Sequence, residues 1–242
     1  MTATTSNFAP INMDRLQRCI IETTSNEWLP SPAQGVWRKP LERESAEQGQ
    51  VTSIVRYEPG TFFPEHTHPQ GEEIFVLSGV FEDENGSYPA GTYLRNPPGS
   101  SHTPGSTVGC ELLVKLNMFD MNDQETIVLN THETDWLPGL VDGLSVMPLH
   151  EFASQNTAEH TALVRWQTGT HFSTHRHMGG EEILVIEGTF EDEFGQYPTG
   201  TWIRSPHDSK HQPFSNDGCL ILVKVGHLAR LVDEASLSNK VN

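Results

Sequence analysis

The sequence predicts an all-β chain made of two copies of one small sandwich or barrel. Three observations carry this. Short segments rich in β-branched and aromatic residues alternate with turn residues along most of the chain. No long stretch shows the 3.6-residue period of an amphipathic helix. The second half repeats the first, with His66, His68, Glu72 and His102 answered at one constant interval by His175, His177, Glu181 and His211.

Composition narrows the partners. The chain has 242 residues and a formal net charge of −17, with only 15 Lys and Arg. Such a surface repels polyanions, so no nucleic acid and no anionic membrane is expected as a partner. The longest apolar runs are as short as Ile74-Phe75-Val76-Leu77, too short to cross a membrane. Residues 1–10 hold no basic residue and no apolar core, unlike a secretory signal peptide. Three cysteines, two of them the repeat partners Cys110 and Cys219, do not form a disulfide framework, and a cytoplasmic location fits.

In chain order, residues 1–23 read as a lead-in. Thr2, Thr4, Thr5, Ser6 and Asn7 make a polar start expected to fray, and Cys19-Ile20-Ile21 favours an edge strand. An N-terminal unit over residues 24–119 follows, then a polar, acidic linker over 120–133, a C-terminal unit over 134–230 and a tail over 231–242. Trp28-Leu29-Pro30 answers Trp136-Leu137-Pro138, Gly35 answers Gly143, and Pro40-Leu41 answers Pro148-Leu149. From Val51 to Asn117 about half of the aligned positions are identical. Val51 to Tyr57, Glu73 to Leu77 and Cys110 to Lys115 read as strands, separated by Pro59-Gly60, Ser78-Gly79, Pro89-Ala90-Gly91 and Pro97-Pro98-Gly99. Asn85-Gly86 signals a type I′ hairpin, which needs positive φ at both central residues; Phe194-Gly195 keeps only the glycine.

The repeated stretch His66-Thr67-His68-Pro69-Gln70-Gly71-Glu72 carries the chemistry. Alternate strand residues share a face, so His66 and His68 can reach one point. Gly71 permits a sharp turn before Glu72 enters the next strand, and Glu73 should face the other way. His102 returns after a hairpin. Three imidazoles and a carboxylate suit zinc or a first-row metal such as iron, nickel or manganese. One divalent metal is therefore expected at His66, His68, Glu72 and His102, and a second at His175, His177, Glu181 and His211.

These spacings resemble a known family. Gly60-x5-His66-x-His68-x3-Glu72-x6-Gly79 is similar to the first cupin motif, and Gly91-x5-Pro97-x-Gly99-x2-His102 to the second. The C-terminal unit repeats both but carries Asp208 where the motif has glycine. Ser106 and Ser215 stand where asparagine is often found. Segments such as Tyr88 to His102 resemble the ChrR cupin-like domain, across about residues 11 to 227. The resemblance implies a bicupin of two tandem jelly-roll barrels with a divalent metal in each, zinc foremost. It implies either a small-molecule or reactive-species role, a metal-dependent dioxygenase acting on a small carbonyl or diketone, or a transcription-regulatory, anti-sigma-like sensor. The ChrR sigma-binding domain carries its own His-and-Cys zinc site; here no histidine precedes His66, and the N-terminal region offers only Cys19. A small-molecule ligand is the expected partner, with a protein partner or homodimer as further possibilities.

Other repeated residues have plainer readings. Cys110 and Cys219 read as small apolar strand residues rather than redox sensors. Arg56/Arg165, Arg95/Arg204 and Lys115/Lys224 either orient an anionic or carbonyl ligand or, as preferred, pair with the acidic runs Glu82-Asp83-Glu84 and Glu191-Asp192-Glu193, which read as a solvated hairpin face. Trp28, Trp37, Trp136 and Trp202 read as core or lid packing. His171 and His207 lie near the second ligand set and read as exposed.

Overall fold

The computed structural model describes residues 8–154 and 158–232. The polar start from Thr2 to Asn7 and most of the tail lie outside the described residues. The described residues form two compact units, one of 8–13 and 27–128, the other of 14–26, 129–154 and 158–232. Both are antiparallel β structures, and the one described α-helix is the short Leu228–Leu231. No helix among the described residues is long and apolar enough to cross a membrane.

In the first unit Thr92–Asn96, Glu72–Asp83, Cys110–Leu116, Val51–Tyr57, Val36–Arg43 and Leu29–Pro30 lie side by side in that order. Their inward residues, among them Val36, Tyr57, Ile74, Val76, Phe81 and Leu112, form the core. Period-two alternation aims this apolar set inward and leaves the intervening residues for the outer face. Two bulges bend the sheet, at Leu41 and at Leu77, where the register slips by one residue against the neighbouring strand. The second unit keeps both, at Leu149 and Ile186.

The second unit orders its strands in the same way, Thr201–Ser205, Glu181–Asp192, Cys219–Val225, Ala158–Trp166, Leu144–Ala153 and Leu137–Pro138, around Trp166, Ile183, Val185, Phe190 and Ile221. Its outer edge is closed by Cys19–Glu22, paired antiparallel to Thr201–Ser205. The expected edge strand is present, and residues 14–26 are part of the second unit. Arg204, only 1% exposed, donates to the backbone oxygens of Asp14 and Gln17, so this segment satisfies a buried cation of the sheet it covers.

Two turns clarify the motif. Gly79 has φ +71°, and a Cβ there would run into the backbone oxygen of Gly109; Gly188 meets Gly218 in the same way. The Asn85-Gly86 expectation needs correction. The hairpin exists, but Asp83 pairs with Gly86, and neither Asn85 nor Gly86 has positive φ. The Asp83 carboxylate accepts the backbone N–H groups of Asn85 and Gly86 instead, forming a side-chain-closed turn. Asp192 does the same for Phe194, so that position needs no asparagine.

Candidate metal centres

The first centre is assembled by pairing two short strands. Ser100–His102 lies antiparallel to His66–His68, with His102 opposite His66. Gly71, at φ +77°, turns the chain so that Glu72 begins the long strand Glu72–Asp83. The three ring centroids lie 4.8 to 5.2 Å apart. Glu72 Oε2 is 3.4 Å from the Nε2 atoms of both His68 and His102. Glu73 faces the other way, accepting the Tyr93 hydroxyl at 2.7 Å.

The second centre repeats this arrangement. His175 pairs opposite His211, ring centroids are 4.6 to 4.9 Å apart, and Glu181 Oε2 is 3.5 Å from His177 and 3.8 Å from His211. In the second centre one atom from each of the four residues lies within 4.8 Å of every other; in the first, the three histidines meet this limit.

The outer ring nitrogens of His66, His175, His177 and His211 have hydrogen-bond partners. His66 Nδ1 lies 3.1 Å from the Pro64 oxygen and His175 Nδ1 3.1 Å from the Ser173 oxygen. His177 Nδ1 meets the Ser209 hydroxyl at 3.0 Å. His102 Nδ1 faces Asp83 at 3.6 Å, and His211 Nδ1 faces Asp192 at 3.3 Å. Such outer partners orient an imidazole and leave its Nε2 lone pair for the centre. The Nε2 atoms of His68, His102 and His211 and Oε2 of Glu181 are buried and make no hydrogen bond. Converging buried lone pairs are what a cation satisfies, and in the second centre the Nε2 atoms of His175 and His177 come within 3.1 Å of each other.

Electrostatics agree with this donor set. Burial pushes the His68 imidazolium down to about 3, with His102 and His66 adding to the effect; His177 falls to about 3 by burial, then His211 and His175. Burial pushes Glu72 up to about 7, against the hydrogen bond from Asn96, and lifts Glu181 to about 7 against His211 and Arg18. His68 and His177 are thus neutral near pH 7, with lone pairs free to donate, while burial disfavours the negative charge of each carboxyl, a cost that a facing cation would offset.

Around the ligand sets the sequence reading is corrected in three places. Asp83 and Asp192 are not on a solvated face: their side chains are buried against His102 and His211. Period two turns the middle member of each run toward the histidine, and in the second run Glu191 is buried as well, bonded to Gln196 and Asn216. Arg95, Lys115, Arg204 and Lys224 do have partners, but not the acidic runs. Arg95 bonds Asp123 and lies 3.7 Å from Glu73, while Lys115 and Lys224 donate to Thr52 and Thr161. A cation that does sit on an acidic run is Arg18, 2.6 Å from Asp192, which sequence reading missed because it has no counterpart in the repeat. Arg56 pairs with Glu111 at 2.6 Å and lies over Trp28, and Arg165 lies over Trp136.

His171 stacks on Phe214 away from the cluster, whereas His207 accepts the Gly179 N–H and borders the opening beside His175 and His177. Asp208 takes the turn that Gly99 takes in the first unit, at φ +69°, and pairs with Arg176 at 3.0 Å. Cys110 and Cys219 are buried, and burial pushes both thiols up to about 11. In the first unit a cavity of about 280 Å³ joins His66 and Glu72 to an apolar wall including Val55, Phe63, Ile74 and Phe81.

A family model described as the ChrR Cupin-like domain matches residues 16–120 and again 124–229. A search of curated proteins returned no match. Among solved structures, a candidate dioxygenase from Nostoc punctiforme is 16% identical at a TM-score of 0.72, covering 88% of this chain and 83% of that one. Salicylate 1,2-dioxygenase from Pseudoaminobacter salicylatoxidans, in complex with gentisate, is 10% identical at 0.65, covering 93% and 84%. Oxalate decarboxylase from Lactobacillus farciminis, as a formate complex, is 12% identical at 0.61, covering 97% of both chains. At these identities the likeness concerns the fold, that of cupin barrels.

Proposed function

The chain belongs to the ChrR cupin-like family, and from that premise we propose that it is a metal-dependent bicupin with a small-molecule site in its first barrel. One divalent metal is held by His66, His68, Glu72 and His102, and another by His175, His177, Glu181 and His211. Family resemblance leans to zinc, but zinc has no redox chemistry, so the reaction assigned here calls for iron, nickel or manganese, each of which the donor set accepts. The reaction class we assign is dioxygenase chemistry on a small carbonyl or diketone compound.

The observation that carries this reading is the cavity, which brings an apolar wall up to His66 and Glu72. A metal with four protein ligands and an octahedral preference keeps two positions open, and when bound it supplies Lewis acidity toward a carbonyl oxygen. The protein's own part is to orient and to exclude. The Pro64 oxygen holds the ring of His66, the Asp83 carboxylate faces His102 across 3.6 Å, Asn96 holds the Glu72 carboxylate at 2.9 Å, and Phe63, Ile74 and Phe81 keep water from the ligand. Two dioxygenase-named structural neighbours support the reaction class. The buried, high-pKa Cys110 and Cys219 weigh against thiol-based sensing.

The test is elemental analysis of wild type, His66→Ala and His175→Ala, followed by oxygen uptake with 2,4-pentanedione. About two metal ions per chain are expected, one lost in each variant, with oxygen uptake abolished in His66→Ala while the circular dichroism spectrum is kept. No metal in either site after reloading refutes the metal reading; two zinc ions and no uptake refute the oxygenase reading.

A further inference from the structure

The cavity in the first barrel carries two guanidinium groups that the second barrel does not have. Arg38 follows Val36 by two residues on one strand, and both line the cavity, with Arg43 beyond them. The register is explicit: Arg38 lies opposite Val55 and Arg43 opposite Val51, two further residues of the cavity wall. Both side chains are withdrawn from solvent, at 18% and 9% exposure.

Among the described residues Glu47, from the bend that follows the strand, is the acidic partner they share. Its Oε2 lies 3.1 Å from Arg38 and 3.7 Å from Arg43, yet the Glu47 side chain is 54% exposed. A carboxylate at the cavity's edge therefore already bridges both guanidiniums, and it is the solvent-facing member of the trio. Arg38 also donates to the Ser31 hydroxyl at 2.7 Å, and Arg43 Nε to the Ala46 oxygen at 3.0 Å, so their forks are held in place whichever carboxylate they meet.

The second barrel supplies the contrast. Val146 faces Val164 as Arg38 faces Val55, and Glu151 faces His160 as Arg43 faces Val51. The duplication keeps every candidate ligand but has an apolar residue and an acid in place of the two arginines. Glu151 there is 68% exposed and lies 3.4 Å from His160. On a chain of net charge −17, a paired guanidinium site inside an apolar cavity selects locally for what the surface at large repels.

We propose that the first barrel, and not the second, binds a small organic carboxylate. Its charged end replaces Glu47 on Arg38 and Arg43, and its apolar body lies along Val55, Ile74 and Phe81 toward His66 and Glu72. The proposal rests on the reading that this cavity is the small-molecule site of the first metal centre. It narrows the substrate class from a neutral carbonyl compound to one bearing a carboxylate at the end remote from the metal.

The experiment is calorimetric titration of the metal-loaded full chain with the straight-chain monocarboxylates from butanoate to octanoate, each beside its uncharged amide. Metal content of every variant is measured in parallel. The expected result is one carboxylate per chain, at least tenfold tighter than the amide, with that preference lost in Arg38→Gln/Arg43→Gln at unchanged metal content. Glu47→Gln, which removes the competing carboxylate and leaves the strand intact, is expected to tighten carboxylate binding, and Glu151→Gln to leave it unchanged. Two equivalents per chain, equal affinity for acid and amide, no binding by any member of the series, or weaker binding in Glu47→Gln would each overturn the proposal. Loss of metal from His66→Ala with the acid-over-amide preference intact leaves it standing, whereas wild-type protein that takes up no metal yet discriminates acid from amide sinks the metal reading alone.

Discussion

Replacing Glu72 by glutamine isolates the energetic cost of burying this candidate metal ligand. The carboxyl is buried, and without a cation its pKa lies near 7 against an ordinary 4.5. Below pH 4.5 the group is protonated in folded and unfolded chains alike and costs nothing. Between 4.5 and about 7 the unfolded chain gives up its proton while the folded one keeps it, so stability falls as pH rises and the loss is complete above the folded value. At about 1.4 kcal/mol per unit, that loss is about 3 kcal/mol at pH 8.5 for one site. Glu181, raised to the same value, imposes a similar cost. Glutamine keeps the length and an oxygen for the Asn96 amide but never ionises. Metal-stripped Glu72→Gln is therefore expected to be close to wild type at pH 4.5 and about 3 kcal/mol more stable at pH 8.5, measured by urea unfolding in a chelator. With metal present the order reverses at pH 8.5, because wild type gains binding energy that the variant cannot. If the stripped variant and wild type differ by the same amount at both pH values, Glu72 is not a buried carboxylate waiting for a cation, and the account of the centre fails.

Three other outcomes follow from named contacts. Arg18→Ala removes the cation that holds Asp192 behind His211; it is expected to weaken zinc at the second site about tenfold and to leave the first unchanged, by chelator competition on the single-site variants His66→Ala and His175→Ala, with Arg18→Lys restoring most of the loss. Deleting residues 1–26 uncovers the edge of Thr201–Ser205 and strips Arg204 of its backbone acceptors; hydrogen exchange is expected to rise in that strand and the protein to self-associate through it, measured by mass spectrometry and light scattering. Burial holds the thiols of Cys110 and Cys219 near 11, so at pH 7.5 both are expected to resist a disulfide reagent in the folded chain and to react once urea unfolds it.

What could be read from the sequence, and what could not, divides along the duplication. The all-β fold and the convergence of His66, His68, Glu72 and His102 were legible because each element is stated twice. The missed residues lack that second statement or lie where repetition misleads. Arg95 and Arg204 recur, which suggested a ligand role or pairing with the acidic runs, yet they are buried among other partners. Asp83 and Asp192 recur inside runs whose charge suggested solvent, and only the strand's alternation shows them turned toward the histidines. Arg18, Arg38 and Arg43 do not recur, so comparison of the two halves passes over them.

That pattern has a physical basis. A metal centre constrains four side chains to one point, so a ligand cannot change without losing the ion. A cavity wall is constrained only in volume and polarity, and a bulged strand such as Val36–Arg43 keeps its backbone path whether it carries Arg38 and Arg43 or, as in Leu144–Ala153, Val146 and Glu151. Two copies of one barrel are therefore free to diverge in what they admit while holding the same donor set. In this chain the difference between the barrels, more than their likeness, is what supports the proposal that the first receives a ligand.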